Sequence, residues 1–121
     1  MIKDQSIFIQ IAETIKSRIL SGEYKADERI PSVRDIAVEM EVNPNTVMKS
    51  FEVLQRADLI YNKRGMGYFV STNAFDEVYQ ERKHKLKHEV IPIIYDEVKL
   101  LGMSLDEVID TFRDLEAHSH S

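Results

Sequence analysis

Two short stretches with helical spacing of apolar residues are separated by a turn of three or four residues, and this arrangement limits the folds open to the chain. Residues 32–40 read "SVRDIAVEM" and the second stretch reads "VNPNTVMKSFEVLQ". Apolar residues recur at helical intervals at Val33, Ile36, Ala37 and Met40 in the first, and at Val47, Phe51 and Leu54 in the second. Each stretch is therefore predicted to be a helix with one buried face. Two short helices joined by so tight a turn indicate a helix-turn-helix.

Both helix starts carry capping signals. Ser32 with Asp35 three residues later resembles a capping box, so the first helix is predicted to begin there. Asn43 is a favoured N-cap residue, and Pro44 after it has a φ close to the helical value and no N–H to leave unpaired. The second helix is predicted to run from this point to about Ala57.

The flanking segments complete a larger motif. An earlier amphipathic helix starts after Ser6 and stops near Gly22, and the polar connection "EYKADERIP" follows it. After the second helix of the helix-turn-helix, apolar runs at 59–61 and 68–70 enclose "NKRGMG", whose glycines allow a tight turn with positive φ. Three helices followed by a two-stranded hairpin, the wing, describe a winged helix-turn-helix, which we assign to residues 1–72.

Residues 73–121 are predicted to be helical. Pro92 interrupts their apolar stripe and is expected to kink or break the helix, and Gly102 is a stop signal. Ser104 with Glu107 repeats the capping-box pattern. The predicted fold is mainly α with one small β-hairpin, in which a short helical segment follows the winged helix-turn-helix domain.

The net charge of −5 is unevenly distributed. Residues 1–72 carry ten Lys/Arg and ten Asp/Glu, whereas residues 73–121 carry six and eleven. The N-terminal part can therefore present a locally basic face although the whole chain is acidic, and phosphate binding needs only such a face.

The composition also indicates where the protein resides. Cysteine is absent, which excludes disulfides and thiolate metal ligands and fits a reducing compartment. The N-terminus lacks the layout of a signal peptide, and no apolar run approaches membrane-spanning length. We expect a cytoplasmic protein that does not bind membranes.

Polar residues cluster where a helix-turn-helix meets DNA. The second helix of such a motif enters the major groove with its N-terminal residues against base edges, and a glycine-tipped wing approaches the minor groove. The predicted DNA-binding residues are Ser32, Arg34, Asn43, Asn45, Thr46, Lys49, Lys63, Arg64, Gly65 and Gly67. A plain helix start would explain Asn43 and Pro44 taken alone, but the convergence of basic residues on the same face favours DNA.

The stretch "IPSVRDIAVEMEVNPNTVMKSFEVLQRADLIYNKRGMGYFV" resembles the DNA-binding domain of the GntR family of bacterial transcription regulators. The resemblance covers roughly residues 7–71. Its most specific parts are "PSVRD", "NPNTV" and "KRGMGYFV", which occur in the order that the family shows.

This resemblance implies particular DNA contacts. Arg34, Thr46 and Gly65 match residues with which the family contacts DNA. Many members carry arginines where this chain has Pro44 and Met48, so their operators should not be transferred to it. The "NPNTV" form is instead similar to the YtrA subfamily.

The segment after the wing is short. About fifty helical residues cannot enclose a drug-sized pocket, which usually needs ~300–1,000 Å³. The YtrA resemblance implies a short helical tail that serves mainly in dimerisation, and packing of the stripe back onto the first domain is the alternative. The predicted dimerisation residues are Phe75, Tyr79, Leu86, Val90, Ile94, Val108 and Phe112. The sequence identifies neither a cofactor nor a small-molecule effector.

Metal binding and catalysis find little support. His84 and His88 are four residues apart and could share one helix face, as metal ligands do, but a solvated charged face is the better interpretation. No serine sits in a nucleophile-elbow sequence, and "RGMG" lacks the length and the lysine of a phosphate-binding loop. We predict neither a metal site nor an enzyme.

The sequence therefore predicts a transcription regulator, a repressor, that binds an inverted-repeat operator in double-stranded DNA as a homodimer. The YtrA resemblance further implies control of a transporter operon. The alternative is a winged helix that serves as a protein-interaction module without specific DNA binding.

Overall fold

The computed structural model describes residues 6–119, so the outermost residues of both predicted domains lie outside the described part. The helices are α1 (Ile7–Leu20), α2 (Val33–Met40), α3 (Pro44–Arg56), α4 (Ala74–Lys85), α5 (Ile91–Leu101) and α6 (Leu105–Ser119). Strands β1 (Ile60–Lys63) and β2 (Gly67–Val70) form a hairpin between α3 and α4. The prediction of a mainly helical winged helix with one small hairpin is confirmed. No helix in the described part is long and apolar enough to cross a membrane.

The chain divides into two compact units, one ending at Arg82 and the other starting at Lys83. Ala74 and Val78 on α4 are buried in the core of the first unit, so the first turns of α4 belong to it. The predicted division at 72/73 was drawn where the wing ends, and as a functional division it stays a prediction.

The core of the first unit is built from the predicted apolar faces. Val47, Phe51 and Leu54 of α3 are fully buried and pack with apolar residues of α1 and α2. The ring of Phe51 meets that of Tyr68 edge-on, with 4.8 Å between centroids, and so joins α3 to β2. One side of α3 is thereby removed from solvent along its length.

Local features of the chain set where α2 begins and where it ends. The Ser32 hydroxyl accepts from the Asp35 N–H at 3.0 Å, and the Asp35 carboxylate accepts from the Ser32 N–H at 3.2 Å, which confirms the capping box. At the other end of α2, Glu41 adopts a left-handed conformation with φ of 54°. This residue reverses the chain so that α3 can begin at Pro44.

A third extended segment, which the sequence indicated only as part of a polar connection, pairs with the hairpin. The Ile30 N–H donates to the Tyr68 carbonyl at 2.9 Å, and the Val70 N–H donates to the Glu28 carbonyl at 3.1 Å. Arg29 lies opposite Phe69 in this pairing. The wing is therefore supported along β2 from both sides.

In the second unit, the interruption expected at Pro92 takes the form of a wider helical turn. The backbone stays right-handed through a π-helical turn at Leu86–Val90 and continues into α5, which has Pro92 in its first turn. Proline lacks an N–H and its ring crowds the carbonyl four residues earlier, so the helix widens there instead of breaking. Further along, the predicted capping box of α6 is present, with the Glu107 N–H donating to the Ser104 hydroxyl at 3.2 Å.

Candidate nucleic-acid interface

The first turn of α3 is held in place before any partner binds. The Asn43 Oδ1 accepts a hydrogen bond from the Asn45 N–H at 2.8 Å, so Asn43 is the N-cap, with Pro44 following it. The cap uses the carbonyl oxygen of the Asn43 amide, and its NH₂ group is the part left to contact a base. One residue therefore serves the helix start and carries a candidate contact.

Asn45 and Lys49 lie on the side of α3 opposite its buried face, and Thr46 lies at the edge of that face. Asn45 and Lys49 are exposed, and Thr46 is half-buried. On the inner side, the buried Ser50 donates its hydroxyl hydrogen to the Phe8 carbonyl at 2.5 Å and thereby ties α3 to the first turn of α1. The polar side chains thus project from a helix that is anchored behind them.

The two predicted residues at the start of α2 differ in their surroundings. Arg34 is exposed in the first turn of the helix. Ser32 is half-buried and its hydroxyl is used by the capping box, so its observed contact is local. A DNA contact by Ser32 stays a prediction.

An ion pair fixes α2 against α1. Both terminal nitrogens of Arg18 donate to the Glu39 carboxylate, and one of them also donates to the Tyr24 hydroxyl at 2.8 Å. The hydrogen bond with Glu39 is the main reason that the pKa of Arg18 is raised, and the same bond lowers the pKa of Glu39. The helix that carries Arg34 is therefore held by a charged link as well as by its apolar face.

The wing tip is an open turn. The Met66 N–H donates to the Lys63 carbonyl at 2.8 Å, and Gly65 has φ of 79°, as a type II turn requires at its third residue. Apart from its two chain neighbours, no described residue has an atom within 4 Å of the position where a Cβ of Gly65 would stand. With Arg64 exposed beside it, the tip can approach another molecule closely.

Lys63 is held on one face of the wing by aromatic rings that sequence reasoning missed. Its Nζ lies 4.7 Å from the centroid of the Phe69 ring, and Phe69 stacks on Tyr61 at 5.7 Å. Tyr61 and Phe69 are paired across the hairpin, and strand alternation places their side chains on one face. The pKa of Tyr61 is raised mainly by desolvation and secondly by the hydrogen bond that its hydroxyl donates to Asp27. Gly67, the last predicted wing residue, is half-buried and pairs with Lys63.

The predicted dimerisation residues fall on both units. In the first unit, Phe75 and Tyr79 are exposed and stacked with 6.2 Å between centroids, whereas Val78 between them packs into the core. In the second unit, Leu86 is exposed and Val90 is half-buried. An open apolar groove of about 250 Å³ lies between α5 and α6, lined by Ile91, Ile94, Tyr95, Val98, Leu105, Val108 and Phe112.

The His84 and His88 rings are 4.3 Å apart between centroids, and both residues are exposed. Across residues 6–119, no group of three or more His, Cys, Asp or Glu side chains is arranged to hold a metal ion. We interpret the pair as part of a solvated helix face, and the absence of a metal site stays a prediction.

Comparison with known proteins shows which family, relatives and solved structures this chain is similar to. Residues 9–70 match the family described as "Bacterial regulatory proteins, gntR family". The HTH-type transcriptional repressor YtrA of Bacillus subtilis (strain 168) is 30% identical over 111 residues, which are 92% of this chain and 85% of that protein. A crystal structure described as a GntR-family regulator from Bacteroides thetaiotaomicron has a TM-score of 0.68 and 40% identity, covering 94% of this chain and 99% of the other. The crystal structure of AraR(DBD) in complex with operator ORR3 has a TM-score of 0.52 and 26% identity, covering 59% of this chain and 89% of that one.

Proposed function

This chain belongs to the gntR family of bacterial regulatory proteins, and from that premise we propose that it is a homodimeric, sequence-specific repressor of transcription. Each subunit places residues 43–49 in a major groove and residues 63–67 on the neighbouring minor groove. Two-fold symmetry then sets the two copies of α3, the recognition helices, roughly 34 Å apart. This distance matches an inverted-repeat operator.

The observation that carries this proposal is the division of α3 into two faces. Val47, Phe51 and Leu54 are fully buried, whereas Asn45 and Lys49 are exposed on the other side. Amide and ammonium groups on an anchored helix support contacts with bases and phosphates. The free N–H groups and the positive dipole end at the start of α3 add attraction for a phosphate.

Two exposed positions on α3 bear on the choice of operator. Pro44 and Met48, which stand where many family members carry arginine, are exposed and uncharged. Arginine at such positions suits guanine, whereas an apolar side chain suits the methyl group of thymine. We therefore propose an operator that differs from those of the arginine-bearing members.

The relatives support the finer parts of the proposal. AraR(DBD) is bound to an operator, which supports duplex DNA as the partner, and the B. subtilis relative is named a repressor. Control of a transporter operon rests on the YtrA resemblance alone. We assign residues 1–72 to DNA binding and residues 73–121 to dimerisation, leave any effector site unassigned, and place the protein in the cytoplasm, away from membranes. Because the family consists of transcription regulators, we propose no enzymatic activity.

Substitutions on α3 test the proposal. Duplexes that the parent prefers are first selected from a random-sequence pool, and the affinity of each variant for them is then measured. Asn45→Ala should weaken binding by about 1–3 kcal/mol and relax sequence preference, because a bidentate base contact is lost. Lys49→Ala should reduce the slope of log affinity against log salt by about 0.9, because one phosphate contact is lost.

Arg56→Ala is the matched control. It removes one positive charge from the last turn of the same helix, far from the predicted contacts, and should leave affinity and salt slope close to those of the parent. A parent that binds duplexes but enriches no sequence contradicts sequence-specific regulation. A folded parent without any salt-dependent binding to duplex DNA would support the protein-interaction module instead.

A further inference from the structure

Arg29 lies on the wing although the sequence places it in the connection between α1 and α2. Its segment pairs with β2, and Arg29 stands opposite Phe69. Residues opposite each other in an antiparallel pair share one face of the sheet, so Arg29, Phe69 and Tyr61 belong to the same face. Lys63, whose Nζ covers the Phe69 ring, lies on this face too.

Gly67 makes room for the Arg29 guanidinium. A Cβ added to Gly67 would stand 3.0 Å from the Arg29 Nε, closer than ordinary van der Waals contact, so any larger residue would displace the side chain. Gly67 also has φ of 106° and pairs with Lys63 on β1. Two cationic side chains therefore flank a position that carries no side chain, at the base of the wing tip.

In the described part of the chain, no carboxylate neutralises the charge of Arg29. Arg18 and Arg82, in the same unit, are each paired with a carboxylate, on Glu39 and Glu13 respectively. Within residues 6–119, no carboxylate forms an ion pair with Arg29, although the residue is exposed. A guanidinium that is positioned by its backbone pairing and left unpaired is suited to a phosphate, which its planar donors can bind bidentately.

We propose that Arg29 is a further DNA-contacting residue, which binds a backbone phosphate beside the minor groove that receives the wing. This inference rests on the proposed function. Together with Lys63 and Arg64, Arg29 gives the wing three cations. Arg29 precedes Phe69, the β2 residue that it pairs with, by forty positions. The contact fixes the position of the wing on the duplex and carries no base preference of its own.

The experiment uses the full chain and a random-sequence duplex, with affinity followed by fluorescence anisotropy from about 50 to about 200 mM salt. Arg29→Gln leaves a shorter polar side chain without charge, and Arg29→Lys keeps the charge. The slope of log affinity against log salt should fall by about 0.9 in Arg29→Gln and stay at the parental value in Arg29→Lys. Lys25→Ala, which removes a cation from the same connection, should also keep the parental slope.

The outcomes distinguish a failure of this inference from a failure of the proposed function. If the folded parent does not bind the duplex at all, the proposed function fails. If the parent binds and Arg29→Gln keeps its affinity and slope, Arg29 only packs against Gly67 and the inference is overturned. Equal losses of slope in Arg29→Gln and Lys25→Ala would also overturn it, since they would reflect net charge and not a contact. Thermal unfolding of each variant, expected at the parental temperature, verifies that the exposed substitutions leave the fold intact.

Discussion

At the scale of single residues, Asn43 serves the helix start and the proposed interface, and two substitutions separate these roles. Asn43→Ala removes the cap that bonds the Asn45 N–H and should lower the free energy of unfolding by about 1 kcal/mol. Asn43→Asp keeps an accepting oxygen and should retain most of the stability. It adds a negative charge where phosphates are expected, so it should bind DNA more weakly than the parent. Urea unfolding and duplex binding measure the two effects.

The comparison between the two variants decides the assignment. Equal losses of stability in both would mean that the accepting oxygen is not what Asn43 contributes to α3. Parental DNA affinity in Asn43→Asp would mean that the first turn of α3 does not face phosphates.

At the scale of elements, local signals were sufficient to predict α2 and α3, whereas non-local pairings were not visible in the sequence. The starts of α2 and α3 follow from Ser32 and Asn43, whose capping contacts span only two or three residues, and from Pro44 in the first turn of α3. The segment around Arg29 was missed because its partner Phe69 lies forty positions away and no periodic pattern marks the pairing. The exposed polar face of α3 was predicted from spacing, but the contacts of the wing side chains depend on strand register, which the spacing alone did not specify.

A charged network joins α4 to α1, and the sequence did not predict it. The largely buried Lys16 donates to Glu81 of α4 at 2.8 Å and pairs with Glu13 at 3.0 Å. Arg82 donates to the Glu13 carbonyl at 2.7 Å. Desolvation alone would lower the pKa of Lys16, but the hydrogen bonds with Glu81 and Glu13 outweigh it and raise the pKa.

Glu81→Gln tests this network through its pH dependence. The parent should exceed the variant in free energy of unfolding at neutral pH, by at most about 1 kcal/mol because the Glu81 carboxylate is half exposed. The folded-state pKa of Lys16 lies above its ordinary value of 10.5, so this contribution is complete below that value and is lost as pH rises through the folded-state pKa. Urea unfolding from about pH 8 to about pH 11.5 should therefore show the gap narrowing.

Glu77→Gln provides the control, because it removes an exposed carboxylate one turn earlier on the same helix. Its difference from the parent should stay constant over the same alkaline range, because the carboxylates that pair with Lys16 are those of Glu81 and Glu13. A gap for Glu81→Gln that also stays constant would show that Lys16 gains nothing from Glu81.

At the scale of the whole molecule, the second unit leaves large apolar side chains uncovered by the described chain. Leu105 and Phe112 in the groove between α5 and α6 are 72% and 63% exposed. Contiguous apolar surface of this kind marks interaction sites, and its burial contributes roughly 25 cal/mol per Å². A second copy is the partner we propose, because a two-fold axis lets the same face meet itself and supplies the paired recognition helices that an inverted repeat requires.

Phe112→Asp tests this assembly, because a buried carboxylate without a partner opposes dimerisation. Light scattering coupled to gel filtration should report a monomer for this variant and a dimer for the parent. Val38→Asp, which changes an apolar residue on α2 that is even more exposed than Phe112, should remain dimeric. Loss of the tethered second subunit should weaken binding to an inverted repeat by about 100- to 10,000-fold while leaving affinity for a single half-site unchanged. A Phe112→Asp dimer would place the interface elsewhere, and a monomer with parental affinity for the inverted repeat would remove dimerisation from the mechanism of operator recognition.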